Sequence, residues 1–164
     1  MRIVVAIAAV LALLFTASCG EKVTRYDGPE VTRIVVNKGA RKMYLLHGTK
    51  ILKRYNIDLG FAPNGHKQFE GDGKTPEGRY VIDRRNPNSA FYLSIGISYP
   101  NRKDVAYARA RGKPPGGEIF IHGGPRPTDP NGPDWTAGCI SVTNREMREI
   151  YTMVRLGTVI DIHP

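Results

Sequence analysis

The sequence predicts a single, mainly β domain with mixed or antiparallel sheets and one main helix near its C-terminus. From residue 32 onward, most segments alternate apolar and polar residues with a period of two, as strands do. Only residues 143–157 show strong helical periodicity. The chain has 164 residues, and without an N-terminal signal it is long enough for one core and too short for two.

The first 18 residues are predicted to be an export signal. Arg2 precedes an unbroken apolar run, residues 3–15, that is too short to span a bilayer comfortably. Small residues then lead directly to Cys19, which resembles the site where bacterial lipoproteins are cut and acylated. Ordinary cleavage nearby is the alternative.

Lipidation of Cys19 predicts a periplasmic protein anchored to the outer membrane. Gly20 stands where many inner-membrane lipoproteins have an aspartate. Residues 19–31 are short and polar, which is typical of a tether, and the folded domain is predicted to cover residues 32–164.

The first strands are predicted to form an antiparallel meander. Residues 32–38 alternate, Gly39 supplies a turn, and residues 43–46 are apolar. A second turn at residues 47–50 leads into residues 51–59.

The middle of the chain combines a loop, three strands and a short helix. Residues 64–77 are rich in Gly, Lys and Asp and predict a long exposed loop. Strand patterns follow at residues 78–83, 91–98 and 118–122. Residues 104–111 can form a short helix before a Pro-Pro-Gly-Gly stop.

The main helix has clear start and stop signals. Thr143 and Glu146 form a capping box, and Gly157 predicts the C-terminal end. One face is apolar and therefore predicted to be core: Met147, Ile150, Tyr151 and Val154. Residues 158–162 give a final strand.

The chain is basic, with a formal net charge of +9 from 24 Lys+Arg and 15 Asp+Glu. Removing Arg2 with the signal gives +9 − 1 = +8. The cations do not alternate with aromatic residues in a nucleic-acid-binding pattern, and an exported protein seldom meets nucleic acid, so no nucleic-acid partner is predicted. An anionic surface such as the cell wall or anionic lipid is favoured, with simple solubility as the alternative.

Cys139 is the candidate nucleophile and His122 its candidate base. The sequence has two cysteines, so if Cys19 is acylated, Cys139 is a single thiol in an oxidising compartment. Its position after Gly138 argues against a buried structural cysteine. His122 ends a strand and precedes Gly123, and a Cys with a His is the minimum for covalent acyl chemistry.

The placement of these residues suggests how they would act. The two-residue period puts His122 on the strand face shared with Phe120, away from Ile119 and Ile121. Pairing with His122 is expected to lower the pKa of Cys139. The absent side chain of Gly138 is expected to let a substrate carbonyl reach the N–H groups of Gly138 and Cys139, which are candidate oxyanion donors. The carbonyl of Gly123 is a candidate acceptor for the imidazole.

Other candidate sites are weaker. Trp135 is the only tryptophan and lies four residues before the thiol, where it either walls a substrate site or packs in the core. His47, His66, His122 and His163 show no ligand spacing, so no metal is predicted.

Three separated motifs resemble the L,D-transpeptidase catalytic domain family of the YkuD type. They are residues 75–80 (TPEGRY), residues 121–123 (IHG) and residues 135–144 (WTAGCISVTN), and the similarity covers roughly residues 33–163. The last motif resembles small Gram-negative members. The resemblance implies a mostly β fold, Cys139 as nucleophile, and His122 as a base oriented by a backbone carbonyl.

The resemblance also implies the partners and the reaction. Peptidoglycan stem tetrapeptides would acylate Cys139, and the acyl group would pass to another stem peptide, to a lipoprotein lysine or to water. No metal or organic cofactor is implied. Trp135, Thr136 and Arg126 are candidate substrate contacts. A thiol peptidase acting on protein chains and a catalytically silent wall-binding lipoprotein are the rival functions.

Two positions depart from the family pattern. Ala137 stands where the family usually has a second His, and Ser141 stands two residues after the Cys, where Arg or Asn is common. The contributions of those side chains must therefore be absent or supplied by other residues, such as Trp135, Arg126 or Asp134.

Overall fold

The computed structural model describes residues 25–130 and 132–164. The predicted export signal, the lipidation site Cys19 and residues 19–24 of the predicted tether lie outside the described residues. Residues 25–31 contain no helix or strand, but Val31 is buried in the core and Tyr26 packs against it. The packed domain therefore includes the last residue that the sequence assigned to the tether.

Eight strands form one mixed sheet with the order β3-β2-β1-β8-β4-β5-β6-β7. Strands β1 and β8 are parallel, as are β6 and β7, and the other neighbours are antiparallel. The predicted mainly β fold is confirmed. The strands are β1 Arg33–Asn37, β2 Lys42–His47, β3 Lys50–Asn56, β4 Gly78–Asn86, β5 Ser94–Ile97, β6 Phe120–His122, β7 Ile140–Ser141 and β8 Val159–His163.

The first three strands form the predicted meander, and their alternation builds the core. Ile34 and Val36 of β1 and Met43 and Leu45 of β2 are fully buried, while the residues between them are more exposed. Strand β3 is shorter than predicted, because the chain leaves the β2 ladder after Asn56 and pairs at isolated bridges with the segment around Ser141.

The two described helices begin with capping boxes. Helix α1 spans Arg102–Arg109 and starts two residues before the predicted position, because Asn101 caps it. Helix α2 spans Asn144–Met153, and its predicted cap, Thr143, is confirmed. No described helix is long and apolar enough to cross a membrane.

Helix α2 ends four residues before the stop that the sequence predicted at Gly157. Val154 is fully buried and already extended, with φ −91° and ψ 131°, so the chain turns towards β8 there. Gly157 has φ +84° and lies in the connecting turn. Met147, Ile150 and Tyr151 form the predicted buried face, and the helix packs against β5 and β6.

Residues 64–77 are more firmly held than the predicted exposed loop. The Asp72 carboxylate accepts hydrogen bonds from the Lys67 ammonium at 2.9 Å and from the backbone N–H groups of residues 68, 69 and 74. The buried ammonium of Lys38 donates to the carbonyl of Thr75 at 3.0 Å. Lys67 and Thr75 are themselves buried. The Lys67–Asp72 pair inside the loop and the Lys38 ammonium from the turn after β1 thus hold its backbone beside the segment that carries Cys139.

Candidate active site

The parallel pair of β6 and β7 brings the two candidate catalytic residues together. Ile121 is level with Ile140, and His122 is level with Ser141. Cys139 directly precedes β7 and therefore lies beside Phe120, whose N–H group is 3.4 Å from the Cys139 Sγ. A long connection, residues 123–139, joins the two strands.

The backbone fixes the tautomer of His122. Its Nδ1 lies 2.6 Å from the carbonyl oxygen of Gly123, the acceptor expected from the sequence. A carbonyl can only accept, so Nδ1 carries the proton and Nε2 is left as the basic nitrogen. The Gly123 N–H group in turn donates to the carbonyl oxygens of Phe91 and Leu93, which holds the turn after β6 in place.

Aromatic side chains bury the imidazole. The Phe91 ring is tilted over His122 with ring centroids 4.4 Å apart, and Trp135 meets its edge at 5.6 Å. His122 is 3% exposed, although the sequence predicted that its imidazole would emerge at the strand edge. Burial lowers the pKa of His122 below its ordinary value of 6.5, and the bond to Gly123 only partly opposes this. The imidazole is therefore neutral at pH 7.

The resting thiol is bonded to backbone groups. Cys139 Sγ accepts from the Phe120 N–H and lies 3.6 Å from the carbonyl oxygen of Glu118, to which the S–H donates. Glu118 has φ +54°, an uncommon conformation for a residue other than glycine. Burial raises the pKa of Cys139, and the Phe120 N–H opposes this only in part. The expectation that His122 would give Cys139 a lowered pKa is therefore wrong for the resting site, because burial dominates.

This state predicts slow alkylation of Cys139 at neutral pH. Only the thiolate reacts with iodoacetamide, and the raised pKa keeps Cys139 a thiol. We expect the rate to climb through pH 9, as measured by mass spectrometry of the peptide that contains Cys139. A rate that is already maximal at pH 7 would contradict the neutral thiol and favour a thiolate–imidazolium pair.

Two threonines shape the turn that presents Cys139. Thr136 Oγ1 donates to the carbonyl oxygen of Cys139 at 2.8 Å and accepts the Gly138 N–H at 3.2 Å. Thr75 Oγ1, from the TPEGRY motif, lies 3.5 Å from the same carbonyl and accepts the Gly60 N–H at 3.1 Å. The motif thus contributes to the position of Cys139. Thr136 is buried behind the turn and acts there rather than in the cavity.

The surrounding backbone leaves room only for a glycine at position 138. A Cβ atom at this position would lie 2.7 Å from the carbonyl oxygen of Lys74, and the residue has φ +131°. The absent side chain therefore makes room for the Lys74 carbonyl of the loop of residues 64–77, whereas the approach of a substrate carbonyl to the N–H groups stays a prediction. The Gly138 N–H is engaged by Thr136, whereas the Cys139 N–H makes no hydrogen bond within the described residues. Gly138 would have to release Thr136 before it could act as an oxyanion donor, the role that the sequence suggested.

Cys139 and His122 open into one cavity of about 310 Å³. Its other lining residues are Asn86, Ser89, Phe91, Ser94, Glu118 and Phe120. This places Phe120 and His122 on a shared face, as the two-residue period predicted. No pattern in the sequence indicated the other lining residues, because they come from β4, β5 and the loops beside the strands.

The candidate substrate residues Trp135 and Arg126 lie behind the cavity wall. Trp135 packs against Phe91 and His122, and its indole N–H is buried with no partner among the described residues. Arg126 stacks on the Phe91 ring, with its guanidinium carbon 4.1 Å from the ring centroid. Its guanidinium also pairs with the Asp129 carboxylate at 2.7 Å. Neither side chain lines the cavity.

Trp135 is therefore expected to affect the base more than the binding of substrate. Trp135→Ala should admit water beside His122 and raise its pKa, because burial is the main cause of the lowered value. The acid limb of the kcat/KM profile should move to higher pH while KM changes little. Trp135→Phe should keep the profile of the unchanged protein. A raised KM with an unmoved acid limb would instead indicate a substrate wall.

Asp134 anchors the connection that contains Trp135. Its carboxylate accepts from the Arg41 guanidinium at 2.6 and 2.9 Å and from the Leu59 N–H at 3.0 Å. The meander is thereby tied to the segment before Cys139. Among the described residues no group of three His, Cys, Asp or Glu side chains could hold a metal ion.

The chain also matches a known protein family. The sequence model of the L,D-transpeptidase catalytic domain (YkuD) matches residues 31–162, which is most of the chain. The chain belongs to this family. It therefore shares the mainly β catalytic fold of the L,D-transpeptidases, and the three motifs that suggested the resemblance all lie within the matched region.

The chain matches only part of the length of each individual relative. YafK of Escherichia coli (strain K12), a candidate L,D-transpeptidase, is 35% identical over 108 residues, which are 64% of this chain and 38% of YafK. The helical cell shape determining protein Pgp2 from Campylobacter jejuni is 26% identical with a TM-score of 0.63, over 84% of this chain and 49% of Pgp2. Bd1075 of Bdellovibrio bacteriovorus is 26% identical with a TM-score of 0.57, over 85% of this chain and 51% of Bd1075. The chain thus spans about half or less of these relatives.

Proposed function

We propose that this protein is a peptidoglycan L,D-transpeptidase that forms a thioester on Cys139. The observation that supports this most strongly is the shared cavity, which both Cys139 and His122 line, with the His122 Nδ1 held by the Gly123 carbonyl at 2.6 Å. Membership of the YkuD family points to stem peptides as the substrate. Export and attachment through Cys19 fit a wall enzyme and belong to the same proposal.

The acylation step starts from a neutral pair. As the carbonyl carbon of the third stem residue approaches, the Cys139 S–H leaves the Glu118 carbonyl and gives its proton to Nε2 of His122. The S–C bond forms, and the oxyanion is stabilised by backbone donors such as the Cys139 N–H. The C–N bond to the terminal D-Ala then breaks, and His122 returns the proton to the leaving amine. This scheme needs a neutral imidazole, which the lowered pKa of His122 provides.

The second step transfers the acyl group. An acceptor amine attacks the thioester while Nε2 of His122 removes its proton, and the thiol is restored. A stem-peptide amine gives a 3→3 cross-link, and a lipoprotein lysine attaches that protein to the wall. Water gives a trimmed tripeptide, the product of L,D-carboxypeptidase activity, which is the nearest alternative function.

Mass spectrometry of the intact protein tests the proposal directly. Incubation with tetrapeptide muropeptides should add the mass of the acyl tripeptide to the unchanged protein and nothing to Cys139→Ala. Cross-linked dimers in the product would assign transfer, and tripeptides alone would assign hydrolysis. If the folded protein forms neither adduct nor product but still binds cell wall, the proposed enzyme activity would be overturned in favour of a wall-binding lipoprotein.

A further inference from the structure

A second and larger cleft lies beside α1, away from the thiol. It has a volume of about 740 Å³, compared with about 310 Å³ for the catalytic cavity. Strand β4 connects the two, because Arg79 near its start lines the cleft and Asn86 at its end lines the cavity. Seven residue steps along the strand separate these two positions by about 23 Å. The lining of the cleft also includes His66, Glu77, Arg102, Lys103, Asp104 and Tyr107.

The acidic groups of this cleft are satisfied from within the protein. The Glu77 carboxylate pairs with the buried Lys38 ammonium at 2.8 Å. Asp104 accepts from the Tyr80 hydroxyl at 3.0 Å and lies 3.1 Å from Nε2 of His66. The other ring nitrogen of His66 accepts the Glu77 N–H at 2.9 Å, so Nε2 carries the proton that reaches Asp104. These contacts leave the carboxylates directed into the protein.

The cations at the rim have no such partners. Within the described residues, Arg102 and Lys103 lie within 4 Å of no carboxylate, and the same holds for Arg109, Arg111 and Lys113 further along. Residues 101–113 contain these five cations and one acid, a net 5 − 1 = +4. By contrast, Lys38 and Lys67 are buried in pairs with carboxylates. Unpaired positive charge is thus concentrated beside the cleft.

The shape and chemistry of the cleft favour a flexible anionic chain. A flat membrane surface would contact exposed cations but would not fill a concavity of this volume. The rim offers the Arg102 guanidinium and the Lys103 ammonium for carboxylates. Tyr107, about one-third exposed, holds a further cation there, because the Arg111 guanidinium carbon lies 3.5 Å from its ring centroid. A polymer with repeated peptide branches can place one branch here while another occupies the catalytic cavity.

We propose that the α1 cleft binds a second stem peptide of the peptidoglycan polymer through its carboxylates. The identity of the polymer rests on the proposed function. Such a site would hold the enzyme on the wall and raise the local concentration of stems at Cys139 by bivalent binding. It would matter for intact wall and not for a soluble single stem.

Charge reversal at the rim tests this site. Full-length protein, the double variant Arg102→Glu/Lys103→Glu, and the control Lys50→Glu/Arg54→Glu should be sedimented with purified sacculi. Lys50 and Arg54 are exposed cations on β3 that likewise lack a carboxylate within 4 Å among the described residues. The cleft variant should bind sacculi about tenfold more weakly, and the control should be nearly unchanged. Turnover of soluble tetrapeptide should be the same in all three.

Three results would contradict the proposal that the α1 cleft binds a stem peptide. Equal losses in both double variants would indicate general charge attraction, and unchanged sacculus binding would show that the cleft plays no part. Loss of binding to phosphatidylglycerol vesicles with sacculus binding retained would assign the cations to a membrane. Sacculus binding does not depend on turnover, so failure of this inference is distinguishable from failure of the thioester to form.

Discussion

Replacing His122 by alanine is expected to slow acylation of Cys139 about a thousandfold at pH 7. The thiol has a raised pKa, and among the described residues no carboxylate or cation is hydrogen-bonded to it. Without Nε2 as the proton acceptor, the reaction must wait for the small thiolate fraction. Stopped-flow or single-turnover mass measurements of the acyl-enzyme with a tetrapeptide donor would give the rate.

The pH profile makes this prediction specific. In the unchanged protein the rate should level off just above the lowered pKa of His122, which lies below 6.5. In His122→Ala it should instead rise with pH towards the raised pKa of the thiol, because hydroxide generates the nucleophile. His47→Ala is a matched control, since His47 is exposed at the end of β2. A His122→Ala protein with the normal rate at pH 7 would show that another group is the base.

Strand positions could be predicted because each strand has one buried face. The alternation in β1 and β2 survives in the structure residue by residue, and the Thr143 capping box is local chemistry that depends on neighbours in sequence. The end of α2 could not be predicted in this way. Val154 continues the helical apolar pattern, but its tertiary environment makes it extended. Strand β7 has only two residues, too few for any periodic signal.

The candidate site shows the same division. Cys139 and His122 could be found because their types and flanking glycines indicate acyl chemistry. The pKa directions could not, since they arise from burial by Phe91 and Trp135, which pack on His122 from other segments. Backbone partners of the thiol, such as the Phe120 N–H, leave no trace in residue identity. Sequence patterns indicate which groups are candidates for the reaction, and packing determines their resting protonation.

The tight packing behind the nucleophile predicts a large effect of Gly138→Ala. The new Cβ would lie 2.7 Å from the Lys74 carbonyl oxygen, and φ +131° is strained for any residue with a side chain. The Lys74 backbone has little freedom to move, because the Asp72 carboxylate binds its N–H at 3.1 Å. We expect the free energy of unfolding to fall by about 3 kcal/mol, and the Cys139 turn to shift with loss of acylation.

The control variant Gly132→Ala separates the cost of a strained backbone conformation from the cost of the steric clash with the Lys74 carbonyl. Gly132 has a similar φ of +110°, but a Cβ there would meet no atom within 4 Å. It should therefore show only the backbone cost, about 1–2 kcal/mol, and should keep its acylation rate. Urea unfolding and the acyl-enzyme assay on both variants provide the measurements. Equal destabilisation would attribute the whole effect to backbone conformation, whereas a larger loss in Gly138→Ala would show that the loop of residues 64–77 supports the nucleophile turn by direct contact.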